Sequence, residues 1–302
     1  MSNEYKHVLM GDTDSSYVRL DLYAKAHNIE PTQQNITKLA DNLQVRLQSD
    51  LSNIIADRFI TSPRHIAILE PGRETVGRRG LFKNKKKRYA IHVVDNEGYP
   101  TDKLKIMGME TRRSDTPVFI QEFLTDCLTS VVKYDAEYDD VKIKVDKFRA
   151  EFRAMDPWKR GSPGRVRNLN KATKAFAQWQ KTSTQIGSAK PRMHITVKAA
   201  LNTNRLMEAH NEHRWDKIRD GDKVEVIYLK DNPEEMDSIA IKVGETYIPD
   251  WFKELPFDIV KMEEKLLDRK LYNVLGDVLE WDFTPSTTYA NELGQVMDDF
   301  YD

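Results

Sequence analysis

Cysteine is almost absent from this 302-residue chain, in which Cys127 is the single thiol. One cysteine cannot form an internal disulfide, and it excludes a zinc site built from several cysteines. Long apolar runs are lacking too, since no stretch approaches the roughly 20 residues that a membrane-spanning helix needs. The N-terminus does not show the basic and then apolar order of a secretory signal peptide. We therefore expect a cytoplasmic protein with no membrane partner.

Acidic residues are missing from one long stretch of a chain that is otherwise rich in them. From Trp158 to Lys198, 41 consecutive residues carry ten Lys or Arg side chains and no Asp or Glu. Residues 73–88 hold eight basic side chains and one acid, Glu74, whereas the part after Glu208 is acidic. Such segregation, hidden by a formal net charge of −1, is typical of proteins that bind a polyanion. Solvated basic faces are the alternative.

The pattern of apolar residues predicts sheet and helix in the first hundred residues. Apolar side chains recur every three or four positions along residues 32–60, which indicates one long amphipathic helix. The stretches "HIAILE" and "RYAIHVVD" have strand composition, and "DNEG" is a hairpin turn before "TDKLKIMGM". Together these elements predict a mixture of antiparallel sheet and helix.

The pattern changes near residue 115, where we place a domain boundary. Thr116 and Pro117 are start signals for a helix, and a second amphipathic helix that ends near Met155 is expected to pack against it. The Gly- and Pro-containing stretch "KRGSPGRVRNL" predicts a loop, and "GDKVEVIYL" predicts a strand. The fold class expected for the whole chain is α+β.

Residues 9–18, "LMGDTDSSYV", predict a β-hairpin with Asp12 and Asp14 at its turn. Two carboxylates held this close repel each other unless a cation bridges them, and hard oxygen ligands suit Mg²⁺ or Mn²⁺. A solvated turn whose aspartates only make local hydrogen bonds is the alternative. The pair therefore needs support from other motifs.

Two more motifs follow the aspartate turn in a specific order, "KKRY" at residues 86–89 and "KIMGMETRRSDTP" at residues 105–117. With all three, the chain resembles the C-terminal part of a family-B DNA polymerase, most like those of tailed bacteriophages. The resemblance implies an α+β fold, in which part of a polymerase palm, an antiparallel sheet with helices, precedes a mainly helical thumb with a small β element. It also implies three domains: palm 1–115, thumb 116–283 and a flexible tail 284–302.

The same resemblance implies template-directed DNA synthesis by two-metal nucleotidyl transfer. Two Mg²⁺ ions, or Mn²⁺, would be held chiefly by Asp14, with support from Asp12, and Glu74 would be a further palm carboxylate unless it pairs with Arg73 or Arg78. The primer–template DNA would contact Lys86, Lys87, Arg88 and Tyr89, and a thumb phosphate track would comprise Arg112, Arg113, Arg165, Arg167 and Lys198. Met10 departs from the family pattern, which has tyrosine before the aspartate turn.

Two partners other than DNA are implied. The last residues, "QVMDDFYD", resemble a clamp-binding peptide, in which Met297, Phe300 and Tyr301 would dock on a sliding clamp; a tail folded back on the thumb is the alternative. Because the resemblance starts within the palm, we expect the exonuclease, the fingers and the rest of the palm on an N-terminal partner chain. The chain alone would then be inactive, and deoxynucleoside triphosphates would bind only the assembled enzyme. A naturally split gene and an artificial truncation would look alike.

Two other classes of protein share part of this pattern. Nucleotide-sugar glycosyltransferases use an Asp-x-Asp pair to hold Mn²⁺, but that class leaves both basic stretches unexplained. A non-catalytic DNA-binding or clamp-tethering subunit explains the basic stretches. Such a passive subunit has no need for a repulsive carboxylate pair, so the aspartate turn favours a catalytic role.

Overall fold

The structure is a computed structural model that describes residues 7–12, 14–59, 61–66, 68–182 and 191–280, without the side chains of Asp12 and Pro63. Antiparallel sheets and helices alternate along the chain, which confirms the α+β class. The chain divides into two compact units. Unit 1 comprises residues 1–108 and 129–135, and unit 2 comprises residues 109–128 and 136–302.

Unit 1 contains two antiparallel sheets. The predicted hairpin is formed by β1 (Val8–Asp12) and β2 (Ser15–Val18). The second sheet has the strand order β3–β4–β5 and consists of β3 (Thr75–Phe82), β4 (Tyr89–Asn96) and β5 (Tyr99–Met107). Strand β4, predicted from "RYAIHVVD", is central and has seven buried residues out of eight.

The turn between β4 and β5 is the one predicted from "DNEG". Asn96 pairs with Tyr99, so Glu97 and Gly98 form a two-residue connection. Both residues have positive φ, 51° and 89°. Two consecutive left-handed residues are typical of a tight hairpin turn that matches the twist of its strands. Glycine at the second position allows this backbone without strain.

Helices α1 (Asp21–Ala26), α2 (Gln33–Phe59) and α3 (Pro63–Ile66) belong to unit 1. Helix α2 confirms the long helix predicted for this part of the chain. Helix α3 shows that the strand predicted for "HIAILE" is wrong. The Ser62 carbonyl oxygen accepts hydrogen bonds from the N–H groups of His65 and Ile66 at 2.9 and 3.1 Å, and Pro63 occupies the first helical position. Proline is favoured there, and this local start signal prevails over a short apolar run.

Arg73 joins α2 to the sheet of unit 1 through polar contacts. Its Nε donates to Asp41 Oδ1 on α2 at 2.5 Å, and its Nη1 donates to Asp95 on β4. The backbone N–H of Arg73 donates to Gln44 Oε1 at 3.1 Å. The Arg73 side chain is only 13% exposed, which limits competition from water. One arginine therefore fixes the middle of α2 to the central strand.

The predicted helix pair consists of α4 (Val118–Tyr134) and α5 (Tyr138–Ala154). The last turns of α4 belong to unit 1, and the rest of the pair belongs to unit 2. The rings of Phe123 and Phe148 stack with centroids 3.9 Å apart, so the two helices pack as expected. Offset or stacked aromatic pairs add to the stabilisation from area burial alone.

A three-stranded antiparallel sheet forms the centre of unit 2. Its strands are β6 (Ser162–Arg165), β7 (Lys223–Tyr228) and β8 (Ser238–Lys242), in that order. Strand β7 confirms the strand predicted from "GDKVEVIYL", whereas β6 shows that the loop prediction for "KRGSPGRVRNL" is wrong over four residues. A Cβ atom on Gly161 would lie 2.4 Å from Glu225 Cβ, so glycine here permits close approach to β7 instead of breaking the strand.

Helices α6 (Leu169–Thr182) and α7 (Ile195–Ala209) contribute to the core around this sheet. The remaining helices are α8 (Asp250–Lys253), α9 (Ile259–Glu263) and α10 (Arg269–Leu275), with a π-helical turn, Glu264–Asp268, between the last two. None of the helices in the described ranges is long and apolar enough to cross a membrane.

Candidate active site and nucleic-acid interface

The aspartate turn lies at the tip of the first hairpin. Asp12 is the last residue of β1 and pairs across the hairpin with Ser15. Asp14 is exposed, and only the backbone of Asp12 is described. The backbone therefore keeps both aspartates on one tight turn, as the sequence predicts.

Tyr17 joins this hairpin to the larger sheet of unit 1. Its hydroxyl donates a hydrogen bond to the Tyr89 hydroxyl at 3.0 Å. Its ring lies 5.1 Å from the ring of Tyr89 and 5.6 Å from that of Phe82. Met10, which pairs with Tyr17 across the hairpin, packs against the same cluster. The turn that carries Asp14 is thus held to the start of β4 by an aromatic cluster.

Tyr89 is the first residue of β4 and is buried. Burial, followed by the hydrogen bond with Tyr17, raises the pKa of Tyr89 to about 12. The positive charge of Lys105 opposes this shift, and the negative charge of Glu74 adds to it. The Tyr89 side chain is therefore a neutral hydroxyl throughout the physiological pH range.

The cationic segment 83–88 connects β3 to β4 and closes as a tight loop. Phe82 pairs with Tyr89, and Lys83 N–H donates to the Arg88 carbonyl oxygen at 3.0 Å. Lys87 has a positive φ of 60°, a conformation that costs energy for a residue with a side chain. Lys86 and Lys87 are exposed, and Arg88 is half-buried. The fold thus presents this run of positive charge to solvent beside the aromatic cluster.

Gly108 fixes the backbone of this cationic loop from the other side. It has a φ of 61°, and a Cβ atom at this position would lie 2.2 Å from the Lys87 carbonyl oxygen. No side chain can occupy that space, so the contact requires glycine. Gly108 lies within the third motif, and its contact with Lys87 shows that the second and third motifs meet in space.

Lys105 and Tyr17 are residues of this region that the sequence analysis did not propose as site residues. Lys105 lies on β5 opposite Ile91 of β4, and its charge acts on Tyr89. Lys105 could have been predicted as a site residue, because it lies in the strand that follows the one beginning at the "KKRY" motif. Tyr17 could have been found as the residue of β2 expected to face Met10.

Glu74 directly precedes β3, and its carbonyl oxygen accepts a hydrogen bond from Glu97 N–H at 2.7 Å. Its backbone therefore lies at the end of the sheet near the β4–β5 turn, although its charge still acts on Tyr89. Arg73, one of the two partners considered for Glu74, is engaged by Asp41 and Asp95 instead.

Among the side chains that the structure describes, no group of three or more His, Cys, Asp and Glu residues is arranged to hold a metal ion. The side chain of Asp12 is not among those described. The donor set of the turn itself, two carboxylates one residue apart, fits a hard divalent cation. Two carboxylates fill only part of the coordination shell that Mg²⁺ requires, so further ligands must come from water, substrate or other protein groups.

The residues proposed for the thumb track lie in unit 2 and fall into two groups. Arg165 and Arg167 are exposed on either side of the buried Val166, and Arg112 is exposed as well. Arg113 instead donates two hydrogen bonds to Asp115, each 2.9 Å, and Lys198 donates to Asp237 at 2.6 Å.

The ion pairs in this region change the pKa of their carboxylates. The hydrogen bond from Arg113 lowers the pKa of Asp115. For Asp237, burial acts to raise the pKa, but hydrogen bonds from Lys198 and Ser238 outweigh it and lower the value. Arg113 and Lys198 are therefore partly neutralised, whereas Arg165 and Arg167 present their charge to solvent. The proposed clamp-binding residues Met297, Phe300 and Tyr301 lie outside the described residues.

Comparison with known proteins shows similarity to DNA-directed DNA polymerases of bacteriophages. The chain is 31% identical over 140 residues to the DNA-directed DNA polymerase of Escherichia phage RB69, which covers 42% of this chain and 15% of the relative. It is 26% identical over 170 residues to that of Enterobacteria phage T4, which covers 51% of this chain and 18% of the relative. The chain matches no protein-family model.

These matches confirm the resemblance to part of a phage DNA polymerase that the sequence motifs predicted. The matched segment spans less than a fifth of the length of either relative. The similarity therefore concerns a part of such an enzyme.

Proposed function

We propose that this chain is the part of a template-directed DNA polymerase that supplies metal-binding aspartates and grips the primer–template DNA. In this proposal residues 1–115 are part of the palm of a family-B polymerase, and residues 116–283 are its thumb. The similarity to two phage DNA polymerases supports the general activity.

One observation carries the proposal. The hydrogen bond between the Tyr17 and Tyr89 hydroxyls, 3.0 Å long, joins the aspartate hairpin to the strand that follows the cationic loop. A carboxylate turn that binds metal ions and a basic loop that binds phosphates are both needed where a polymerase extends its primer. Here the two elements belong to one compact unit and share one aromatic cluster.

Asp14 and Asp12 would hold divalent metal ions, Mg²⁺ or Mn²⁺. When bound, such ions lower the pKa of the primer hydroxyl and neutralise the charge of the triphosphate. The exposed position of Asp14 leaves its carboxylate accessible to an ion.

The cationic loop and Tyr89 would hold the primer end. Lys86, Lys87 and Arg88 provide positive charge for phosphates, and such contacts position DNA without reading its sequence. The neutral Tyr89 hydroxyl and its ring would pack against the sugar or base of the terminal nucleotide. Farther along the DNA, the exposed Arg112, Arg165 and Arg167 would contact phosphates, with smaller contributions from Arg113 and Lys198.

The relatives are much longer than the matched segment, so DNA synthesis would also need groups from the rest of a polymerase. We propose that an N-terminal polymerase portion with exonuclease, fingers and the other palm carboxylate completes the active site. Deoxynucleoside triphosphates would bind that assembly, and residues 284–302 would bind a sliding clamp through Met297, Phe300 and Tyr301.

The test is primer extension with Mg²⁺ and all four nucleotides. The chain is assayed alone and mixed with an N-terminal polymerase portion that contains exonuclease and fingers. We expect synthesis only in the mixture and a loss of at least about a hundredfold for Asp14→Asn, since a metal ligand contributes several kcal/mol to the transition state. Asp231→Asn is the matched control, because Asp231 is an exposed aspartate in a turn of unit 2.

Two outcomes would overturn the catalytic role. Synthesis by the mixture that is insensitive to Asp14→Asn would mean that the other portion carries the chemistry and that this chain only binds DNA. Mn²⁺ binding to the isolated chain, measured by electron paramagnetic resonance, provides a readout independent of activity. Equal Mn²⁺ binding by wild type and Asp14→Asn would remove the metal-ligand assignment.

A further inference from the structure

The first part of unit 1 buries very few of its residues. Of the residues from 7 to 75 whose burial the structure describes, Ala24 alone is buried. Helix α2 lies within this stretch, and none of its 27 residues, all of which are described, is buried. In proteins, most of the stability of a helix comes from packing of an apolar face. A helix of this length with no fully buried side chain is therefore only partly covered within the described chain.

Helix α2 nevertheless carries an apolar stripe. Ile36, Leu43, Leu47 and Ile54 repeat at intervals of seven and four, which places them along one side of the helix. Leu47 and Ile54 are 44% and 49% exposed. An exposed leucine alone is ordinary, but a continuous apolar stripe is typical of an interface.

The stripe is not the side by which α2 is attached to unit 1. That attachment uses Asp41 and Gln44, which bind Arg73, and Gln48, whose Nε2 donates to the Leu69 carbonyl oxygen at 3.1 Å. At 3.6 residues per turn, these polar residues lie roughly 100° around the axis from Leu47 and Ile54. The hydrogen bonds that fix α2 come from this polar set, whereas the stripe beside it is half-buried at Ile36 and Leu43 and exposed at Leu47 and Ile54.

We propose that this stripe, Ile36–Leu43–Leu47–Ile54, is the docking surface for the polypeptide that carries the remaining part of the polymerase. The inference rests on the proposed function and goes beyond it, because it names the surface of this chain that would meet the partner. Docking on α2 would bring that polypeptide to the unit that holds Asp12 and Asp14.

The charge of α2 and the length of the phage relatives favour a polypeptide as the occupant of the stripe. Helix α2 has three basic residues and three acidic residues, so its charge does not attract DNA. Arg46 and Asp50, next to the stripe, face each other at 3.9 Å. A neutral apolar surface fits a polypeptide. More than four fifths of each phage relative lies outside the matched segment, so a large complementary polypeptide exists in such enzymes.

The experiment measures binding of the 302-residue chain to the part of the RB69 phage polymerase that precedes the matched segment, by analytical ultracentrifugation. The test variant is Leu47→Glu/Ile54→Glu. The matched control is Val45→Glu, because Val45 is 71% exposed on the opposite side of α2. We expect complex formation by wild type and the control, and at least about tenfold weaker binding by the test variant. The melting temperature of the test variant alone should equal that of wild type.

Three results would overturn the docking proposal. Two are the absence of a complex with wild type and equal binding by the test and control variants. The third is a lower melting temperature of the test variant alone, which would mean that the stripe packs within the chain. A wild-type dimer that the test variant dissociates would assign the stripe to a second copy instead. The proposed function is tested separately with Asp14→Asn, which should bind the partner normally. Synthesis that depends on Asp14 but not on Leu47 and Ile54 would remove the docking surface and keep the function.

Discussion

Lys270 and Glu110 form an ion pair in which both side chains are nearly excluded from solvent. Lys270 Nζ donates to Glu110 Oε2 at 3.2 Å and to Thr116 Oγ1 at 2.8 Å. The pair connects α10 to the single 3₁₀ turn, Glu110–Arg112, of the third sequence motif. Burial of two charges is costly unless they stay paired, so this contact specifies how the two segments meet within unit 2.

We predict that Lys270→Met destabilises unit 2 by about 3–5 kcal/mol, because it leaves the Glu110 carboxylate buried without its main partner. The double variant Lys270→Met/Glu110→Met should recover most of this loss, since it removes both charges. Urea unfolding followed by circular dichroism measures both values. A single variant as stable as wild type would show that the pair contributes nothing.

A second prediction concerns the ionisation of Tyr89. Its pKa of about 12 lies above the ordinary value of 10, because burial and the hydrogen bond with Tyr17 favour the neutral phenol. Raising a folded-state pKa stabilises the fold below pH 10, and this stabilisation is lost as the pH rises from 10 to 12. Wild type should therefore lose stability over this interval more steeply than Tyr89→Phe. Denaturant unfolding at several pH values tests this, and parallel curves would contradict it.

A third prediction concerns the contact between Gly108 and Lys87. In Gly108→Ala the new methyl group meets the Lys87 carbonyl oxygen in a backbone conformation that is strained for alanine, so we expect a loss of about 1–3 kcal/mol. DNA binding should weaken as well, because the cationic loop must move. Gly72→Ala is the control, since nothing lies within 4 Å of a Cβ at that glycine. Equal stability and DNA affinity of the two variants would show that the close contact does not fix the loop.

The salt dependence of DNA binding separates the two groups of thumb cations. Each phosphate contact contributes about 0.9 to the slope of log K against log salt for duplex DNA. We predict that Arg165→Ala lowers this slope by about that amount, whereas Arg113→Ala changes it less, because Asp115 already holds Arg113. Fluorescence anisotropy of a labelled primer–template at several salt concentrations measures both slopes. A larger effect of Arg113→Ala would reverse the assignment.

Local patterns predicted most of the elements that surround the candidate site. The hairpin of β1 and β2, the buried strand β4 and the two left-handed residues of its turn all follow from strand composition and turn chemistry in short stretches. The failures were also local. Ser62 and Pro63 start a helix just before "HIAILE", and Gly161, within a stretch whose composition predicts a loop, allows close approach to β7.

Contacts between residues distant in sequence were beyond such patterns. The bond between Tyr17 and Tyr89 spans 72 positions and depends on how the hairpin meets the sheet. The pairing of Lys198 with Asp237, 39 positions apart, likewise depends on tertiary packing. The amphipathic period of α2 was predicted correctly, but a period does not show whether the apolar side is covered.

The side-chain contacts of Arg73 between α2 and the sheet of unit 1 are ionic, so acid weakens them. Burial would raise the pKa of Asp95, but hydrogen bonds from Arg73 and from the Gly98 N–H outweigh burial and hold it below the ordinary value of 3.8. The stability that this carboxylate contributes is present above that value and is lost as the pH falls through its folded-state pKa. On acidification the ionic link through Arg73 therefore weakens, whereas the neutral hydrogen bond from Gln33 Nε2 to the Val94 carbonyl oxygen, 2.9 Å, and the apolar interior of β4 remain.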